Sequence, residues 1–277
     1  MTNPLVSVVI PTYNQALFLN NAISSLLEQS WRNWEAIIID NSSTDNTLEI
    51  IDEFNDARIR VYKINNDGVI AASRNLGILR ARGEFISFLD SDDYWAPLKL
   101  ERTLEFLAKG FDLVCHAEIW EFRGGQSIVK SYGPSSRSTY KSLLFWGNRL
   151  STSAVSVRRD VVIEIGMFDE NPDYKMVEDY DLWMRAAKHG CKFGFIDDVL
   201  GTYLVHGHNT SKASFRHFLA EVRLINAHVK SFNQSSLLIK FLHYSRVVRA
   251  LASYLFRLSQ PFKGPFSKYL VLSRLRL

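Results

Sequence analysis

At 277 residues, with 47% hydrophobic and 22% charged side chains, the chain can bury one large core, or one core plus a helical appendage, and wholesale disorder is excluded. The net charge of +4 is unevenly spread: residues 222–277 hold ten Lys or Arg and no Asp or Glu, leaving 23 basic against 29 acidic residues in 1–221, so the two regions should meet different partners. No stretch approaches the ~18 to 20 apolar residues of a membrane span, and the N-terminal apolar run is too short and lacks the basic flank of a signal peptide.

Val6, Ser7, Val8, Val9 and Ile10 predict a buried first strand that Pro11 ends. Asn14 is the expected cap of a helix through Phe18, Ala22, Ile23, Leu26 and Leu27. A second buried strand covers 35–39 and stops on Asp40; after a polar turn at 41–44, a helix opens at Asp45 or Thr47 with Leu48, Ile51 and Phe54 on one face. A short strand at 59–62 follows, then a helix through Ala71, Arg74, Leu76 and Leu79 punctuated by Gly83, then a strand at 85–89 that stops on Asp90. Strands apolar on both faces, alternating with helices, predict a parallel sheet covered on both sides. Ligands of such sheets sit beyond the strands' C-terminal ends, where Asp40 and Asp90 both fall. Residues 111–156 give no clear period. Val177 to Arg185 opens a helix that Gly190 ends, and 203–211 reads as a polar loop.

Asp90, Asp92 and Asp93 place three carboxylates within four residues. They repel one another, and a hard divalent ion such as Mg²⁺ or Mn²⁺ would offset that repulsion; an acidic turn capping the helix near Pro97 is the plain alternative. Asp40 is either a cap for its own turn or an acceptor for a nucleotide base. Arg74 and Asn75 are candidates to contact a diphosphate or to position the acidic loop, with a surface ion pair as the alternative for Arg74. Glu178 and Asp179 fit the macrodipole of a helix start, and a carboxylate there also suits general-base chemistry. His206 and His208 are candidate metal or phosphate contacts. No G-x-G-x-x-G follows the first strand and no P-loop signature occurs anywhere, which excludes the usual glycine-loop routes to dinucleotide or phosphate binding.

Taken in order, residues 7–14, 37–47, 66–84 (with Arg74, Asn75, Leu76 and Gly77) and 88–95, followed by 166–170, 178–183, His206 and Ser211, resemble the family 2 glycosyltransferases. The resemblance covers about residues 5–212 and points to the bacterial cell-surface polysaccharide type. It implies a GT-A fold, an α/β architecture with a mainly parallel central sheet flanked by helices, and inverting transfer from a nucleotide sugar. Position by position it implies that Pro11, Thr12 and Tyr13 line the nucleotide pocket and that Asp40 accepts from the base. Asp90, Ser91 and Asp92 match the family's acidic motif, with Asp92 as principal metal ligand and Asp90 facing ribose or metal. Asp179 matches the catalytic base, Glu178 its support or an acceptor contact, and His206 a histidine near the metal. Trp95 and Trp183 offer apolar faces to a sugar, or core packing. Two departures stand out. Leu204 occupies a place where Arg is common, so that diphosphate contact is either missing or supplied by His208, Lys212 or Arg216. Asn41 occupies a place where a second Asp is common.

The expected division is a catalytic domain over 1–215 and a basic, mainly helical extension over 216–277. In the extension, apolar residues from Leu237 to Phe256 recur at helical spacing among Arg246, Arg249 and Arg257. A peripheral helix at 235–277 on an anionic membrane surface is one reading; packing on the catalytic domain or a homo-oligomer contact is the other. No nucleic-acid module accompanies the charge. Cys115 and Cys191 are expected as reduced thiols of a cytosolic protein at the inner face of the cell membrane. The expected partners are a nucleotide-sugar donor, UDP by default with GDP and dTDP open, and a glycan or lipid-linked acceptor. Two other classes compete. A sugar nucleotidyltransferase would need a glycine-rich basic N-terminus that is absent, and a non-catalytic sugar-nucleotide binder would not need Glu178 and Asp179.

Overall fold

The computed structural model describes residues 3–122, 124–206, 214–230, 232 and 237–259. Four parallel strands begin the fold: β1 (Val6–Thr12), β2 (Trp34–Asp40), β3 (Ile59–Lys63) and β4 (Phe85–Phe88), joined by α1 (Ala16–Leu27), α2 (Thr47–Glu53) and α3 (Ile70–Arg80). Then come β5 (Tyr94–Trp95), α4 (Lys99–Ala108), β6 (Leu113–Phe122), β7 (Ser127–Lys130), α5 (Tyr140–Trp146), β8 (Val155–Arg158), α6 (Arg159–Glu164), α7 (Glu178–His189), β9 (Phe193–Val205), α8 (Phe215–Val229) and α9 (Leu237–Ser259). They form one sheet in the order β3-β2-β1-β4-β8-β6-β9-β5, with β7 on β6. β8 is antiparallel to both β4 and β6, and β9 runs parallel to β6. The architecture is therefore α/β with a central sheet between helices, as the sequence pattern implied; the sheet is parallel through β1 to β4, as expected, and becomes mixed beyond them, where β5, β7 and β8 pair antiparallel.

Alternation along the strands explains their double-sided apolarity. Val8, Ile10 and Ile38 point to a core shared with Leu19, Ile23 and Leu26 of α1 and Leu100 and Leu107 of α4. Val9, Ile37, Ile39 and Phe88 point to the opposite core, built with Ala71 and Ile78 of α3, Leu182 and Trp183 of α7, and Leu224 and Ile225 of α8. A sheet covered on both faces needs both sets.

Several boundaries differ from expectation, for local reasons. Pro11 does not end β1, which continues to Thr12. The ladder to β4 stops at Val9 opposite Phe88, so by Pro11 that neighbour no longer asks for an N–H. Asn14 is not the cap of α1; Gln15 is, and the end of the helix is satisfied from the next loop, where Asp45 Oδ2 accepts from the Ala16 N–H at 3.2 Å. Asn14 itself adopts φ 51° and its side-chain oxygen accepts from the Thr44 N–H at 2.8 Å. Gly83 does not cap α3, which ends at Arg80. A Cβ there would lie 2.7 Å from the Leu5 carbonyl oxygen and the Ser7 nitrogen, so this glycine lets the chain pass close beneath β1.

Within the tail, α8 is part of the main packing, while α9 lies along it by one side. Arg246 of α9 is buried and pairs with Glu221 of α8. Arg249 donates to the Phe145 carbonyl and stacks on Trp146. Two of the three arginines expected at lipid headgroups thus face protein; the side chain of Arg257 lies outside the described residues. Leu237, Phe241, Tyr244, Val248, Leu251 and Leu255 form an exposed apolar stripe. Among the described residues no helix is long and apolar enough to cross a membrane. Cys115 and Cys191 are both free, the latter only half-buried.

Candidate active site

The carboxyl ends of β1, β2 and β4 lie side by side, because Thr12 is in register with Asp40 and the acidic loop 90–93 follows β4 directly. Pro11 and Thr12 are buried along this edge, Tyr13 is exposed beside it, and the Thr12 hydroxyl is buried without a hydrogen-bond partner among the described residues. Asp40 is fully buried, and both its oxygens accept from the Ser43 N–H, at 3.3 and 3.2 Å. It therefore shapes its own turn. Asn41, whose side-chain oxygen accepts from the Asn66 N–H at 2.9 Å, ties that turn to the start of the next segment.

The acidic loop is held from three sides. Asp93 is buried and points into the protein, its carboxylate accepting from the Ser153 hydroxyl (2.5 Å) and the Leu204 N–H of β9 (3.1 Å). Burial and the neighbouring Asp92 and Asp90 push its carboxyl well above the usual range. Ser91 is buried. Asp92 is half-buried and its Oδ2 lies 2.9 Å from His206 Nε2; that imidazole in turn stacks on Phe18 of α1 at 4.4 Å. Burial first and Asp90 second raise the Asp92 pKa, with His206 opposing them. Excess negative charge in a half-buried site is what a bound cation would neutralise. Among the described residues, no group of three or more His, Cys, Asp and Glu is arranged as a ready metal cage. Asp92 and His206 are the pair that could hold such a cation, and its remaining ligands would have to be substrate oxygens and water.

Arg74 joins this loop to α7. Its Nη2 donates to Asp90 Oδ1 at 2.7 Å and its Nη1 to Glu178 Oε1 at 2.8 Å. It is buried, so the surface-pair alternative is excluded; Asp90 and Glu178 hold it firmly charged against the cost of burial. Gly77 explains how α3 brings Arg74 there. A Cβ at Gly77 would lie 2.4 Å from Val9 Cγ1, so a glycine is needed for α3 to settle on β1. Asn75 does not reach the acidic loop. Its amide donates to the Phe168 carbonyl (2.9 Å) and to Glu170 (2.7 Å) and accepts from the Phe168 N–H (2.9 Å), fixing the 166–170 segment instead.

Asp179 occupies the first turn of α7, with Glu178 and Asp181. Its Oδ1 accepts from the Tyr180 N–H at 2.6 Å, and its Oδ2 accepts from Thr152 (3.2 Å) and Asn148 (3.5 Å). Burial and the adjacent Glu178 push its carboxyl up to about 7, against the opposing pull of Arg74. That is a suitable value for a base working near neutral pH. Two aromatic residues do not face a sugar: Trp183 is packed with Phe88 and Phe168 in the core, and Trp95 is buried against the Lys99 ammonium.

Sequence reasoning missed the segment 148–153 and Glu118. Glu118 is buried on β6, accepting from Tyr132 (2.7 Å) and Ser151 (3.2 Å), and burial lifts its carboxyl to about 7. The signal was obscured because the first six residues of β6 are all buried, yet His116 and Glu118 among them are polar, so neither alternation nor an unbroken apolar run is visible. His208 and Lys212 lie outside the described residues; Arg216 is in the first turn of α8 and exposed.

The family model for Glycosyl transferase family 2 matches residues 7–166, more than half the chain. The chain is a family 2 glycosyltransferase. An uncharacterized glycosyltransferase of Haemophilus influenzae is 36% identical over 166 residues, 58% of this chain and 65% of that protein, so the match spans just under two thirds of that relative. The putative teichuronic acid biosynthesis glycosyltransferase TuaG of Bacillus subtilis is 30% identical over 228 residues, 78% of this chain and 86% of its own. The Escherichia coli UDP-Glc:alpha-D-GlcNAc-diphosphoundecaprenol beta-1,3-glucosyltransferase WfgD is 35% identical over 188 residues, 68% of this chain and 72% of its own. In fold, this glycosyltransferase is similar to S. aureus TarS 1-349 in complex with UDP-GlcNAc, with a TM-score of 0.69 over 90% of this chain and 72% of that one at 20% identity. It is also similar to the Pyrobaculum calidifontis mannosyltransferase PcManGT in complex with GDP-Man and Mn2+, with a TM-score of 0.64, 17% identity, and 99% and 80% of the two chains covered.

Proposed function

We propose that this glycosyltransferase moves a sugar, with inversion, from a UDP-sugar to a hydroxyl of a lipid-linked glycan in cell-envelope polysaccharide synthesis. The observation that carries the reading is the Arg74 bridge, which ties Asp90 of the acidic loop to Glu178, one residue from Asp179. It sets a donor-holding loop and a base-strength carboxylate on one rim. The UDP and lipid-linked assignments lean on relatives: WfgD is named for UDP-Glc and a diphosphoundecaprenol acceptor.

In this reading Pro11, Thr12 and Tyr13 flank the nucleotide, Asp40 accepts from the base, and Asp90 and Ser91 meet the ribose and diphosphate. Asp92 and His206 hold a divalent cation, Mn²⁺ or Mg²⁺. Such an ion supplies charge stabilisation for the leaving diphosphate. Asp179 takes the proton of the acceptor hydroxyl as its oxygen attacks the anomeric carbon. Glu178 touches neither substrate; it fixes Arg74. Residues 1–215 act as the catalytic unit and 216–277 as an extension whose exposed α9 stripe contacts the inner membrane face.

Nucleotide release from a panel of nucleotide sugars, with and without Mn²⁺, tests the proposal. Metal-stimulated release that Asp92→Ala abolishes is expected, with Asp179→Asn keeping the thermal shift on donor binding but losing transfer. Full turnover in EDTA, or in either variant, overturns the corresponding assignment.

A further inference from the structure

Three consecutive hydroxyl residues, Ser151, Thr152 and Ser153, lie at the turn Thr152–Ala154 just before β8. Each reaches a different carboxylate: Ser151 donates to Glu118 (3.2 Å), Thr152 to Asp179 (3.2 Å) and Ser153 to Asp93 (2.5 Å). Ser153 also accepts from the Asp90 N–H at 3.1 Å, and its carbonyl accepts from the Trp95 indole at 2.8 Å. In a tight 3₁₀ turn successive side chains fan out about 120° apart, so one turn can address three directions. The turn is itself buried and anchored, with Thr152 at 7%, Ser153 at 2% and Ala154 at 0% exposure.

Asp179 needs such an anchor. It sits at a helix start where the Tyr180 N–H holds only its Oδ1, at 2.6 Å, and the nearby guanidinium of Arg74 is committed to Asp90 and Glu178 rather than to it. The segment 148–153 reaches it with neutral donors, Asn148 and Thr152. Among the described residues, the charged and titratable groups that act on it most are Glu178 of its own helix and Arg74 of α3, with Tyr180 beside it. A salt bridge would aim the carboxylate but strip its basicity; a neutral hydroxyl aims it at a much smaller loss.

We propose that Thr152 is a positioning residue for the transfer reaction, its hydroxyl holding Asp179 Oδ2 so that the carboxylate is oriented toward the acceptor hydroxyl. This rests on Asp179 being the base. Glu118, through Ser151, steadies the other end of the same turn and takes no direct part.

The pH dependence of kcat/KM for transfer, measured on the full chain, decides it. The Thr152 hydroxyl bonds the ionised form of Asp179 and so lowers its pKa; removing it in Thr152→Val moves the acid limb to higher pH. The expected loss in kcat at pH 7 is about tenfold with donor KM unchanged, while Thr152→Ser restores both limb and rate. Should Thr152→Val fold poorly, the exposed Asn148→Ala shifts the limb in the same direction by less, and Ser151→Ala leaves it in place. A Thr152→Val enzyme whose profile overlays the wild type, while Asp179→Asn is inactive, overturns the proposal. Transfer surviving in Asp179→Asn instead overturns the base assignment beneath it.

Discussion

Arg74 divides its guanidinium between two carboxylates that belong to distant parts of the chain, and its burial makes the arrangement costly to disturb. Arg74→Met would leave Glu178 buried without its partner and is expected to lower stability by about 3 to 5 kcal/mol in urea unfolding, with kcat falling further than donor affinity. Asp179→Asn should do the reverse. A carboxyl raised to about 7 in the fold, against an ordinary value of 3.8, destabilises the native state once pH climbs above the unfolded value. That penalty is complete above about pH 7. Asn carries no such charge, so the inactive variant should melt higher than wild type at pH 8 and lose the advantage by pH 4, a comparison that thermal scans at the two pH values make directly. The placement of the acids and His206 was readable because each lies near a strand or helix end; Arg74, inside α3, could be singled out by residue type but not matched to both of its partners. Thr152 was not readable: nothing local marks a serine–threonine–serine run, and its partner Asp179 lies 27 positions away.

At the scale of elements, the first ninety residues were legible because β1 to β4 and α1 to α3 have clean periods. What the periods did not give was who satisfies each end. Asp45 serves α1 from the far side of β2, and Gly83 is there for the backbone of β1 rather than for α3. Gly77 shows the energetic consequence. Gly77→Ala places a methyl group into Val9, and α3 must back away from β1 by enough to clear it. We expect about 1 to 3 kcal/mol of destabilisation by denaturant titration and a disproportionate loss of turnover, since Arg74 rides on the same helix. Ala at the exposed Leu79 position should do neither. Residues 111–156 resisted reading because β6 is buried over 113–118 but carries the polar His116 and Glu118 there, so neither a period of two nor an unbroken apolar run survives.

For the whole molecule, charge and packing divide differently from one another. The basic tail is separate in composition, yet α8 shares the core of α7: His228 lies 2.9 Å from Asp181, and Arg246 pairs with Glu221. Deleting everything after Lys230 would therefore unpair Glu221 and uncover Phe145, and it is a poor test of membrane contact. Serine at Phe241, Leu251 and Leu255, which are 68%, 40% and 53% exposed, leaves those links intact. Wild-type chain should co-sediment with anionic vesicles, more weakly as salt rises, and the triple variant should remain in the supernatant with unchanged melting temperature. Equal sedimentation of the two, or a dimer that the triple variant dissolves, would remove the membrane proposal.

The bond from the Leu204 N–H to Asp93 has one more consequence, for the order in which the protein is made. The family model matches residues 7–166, and β1 to β4 can pair as soon as they are synthesised. The acidic loop, however, receives its clasp from β9, and Asp92 meets His206 only one residue beyond that strand. A chain growing from its N-terminus thus carries a recognisable half-sheet long before the acidic loop is clasped. With Asp92 and His206 in their proposed roles, activity arrives late, and a prematurely released fragment would fold in part without being able to consume nucleotide sugar.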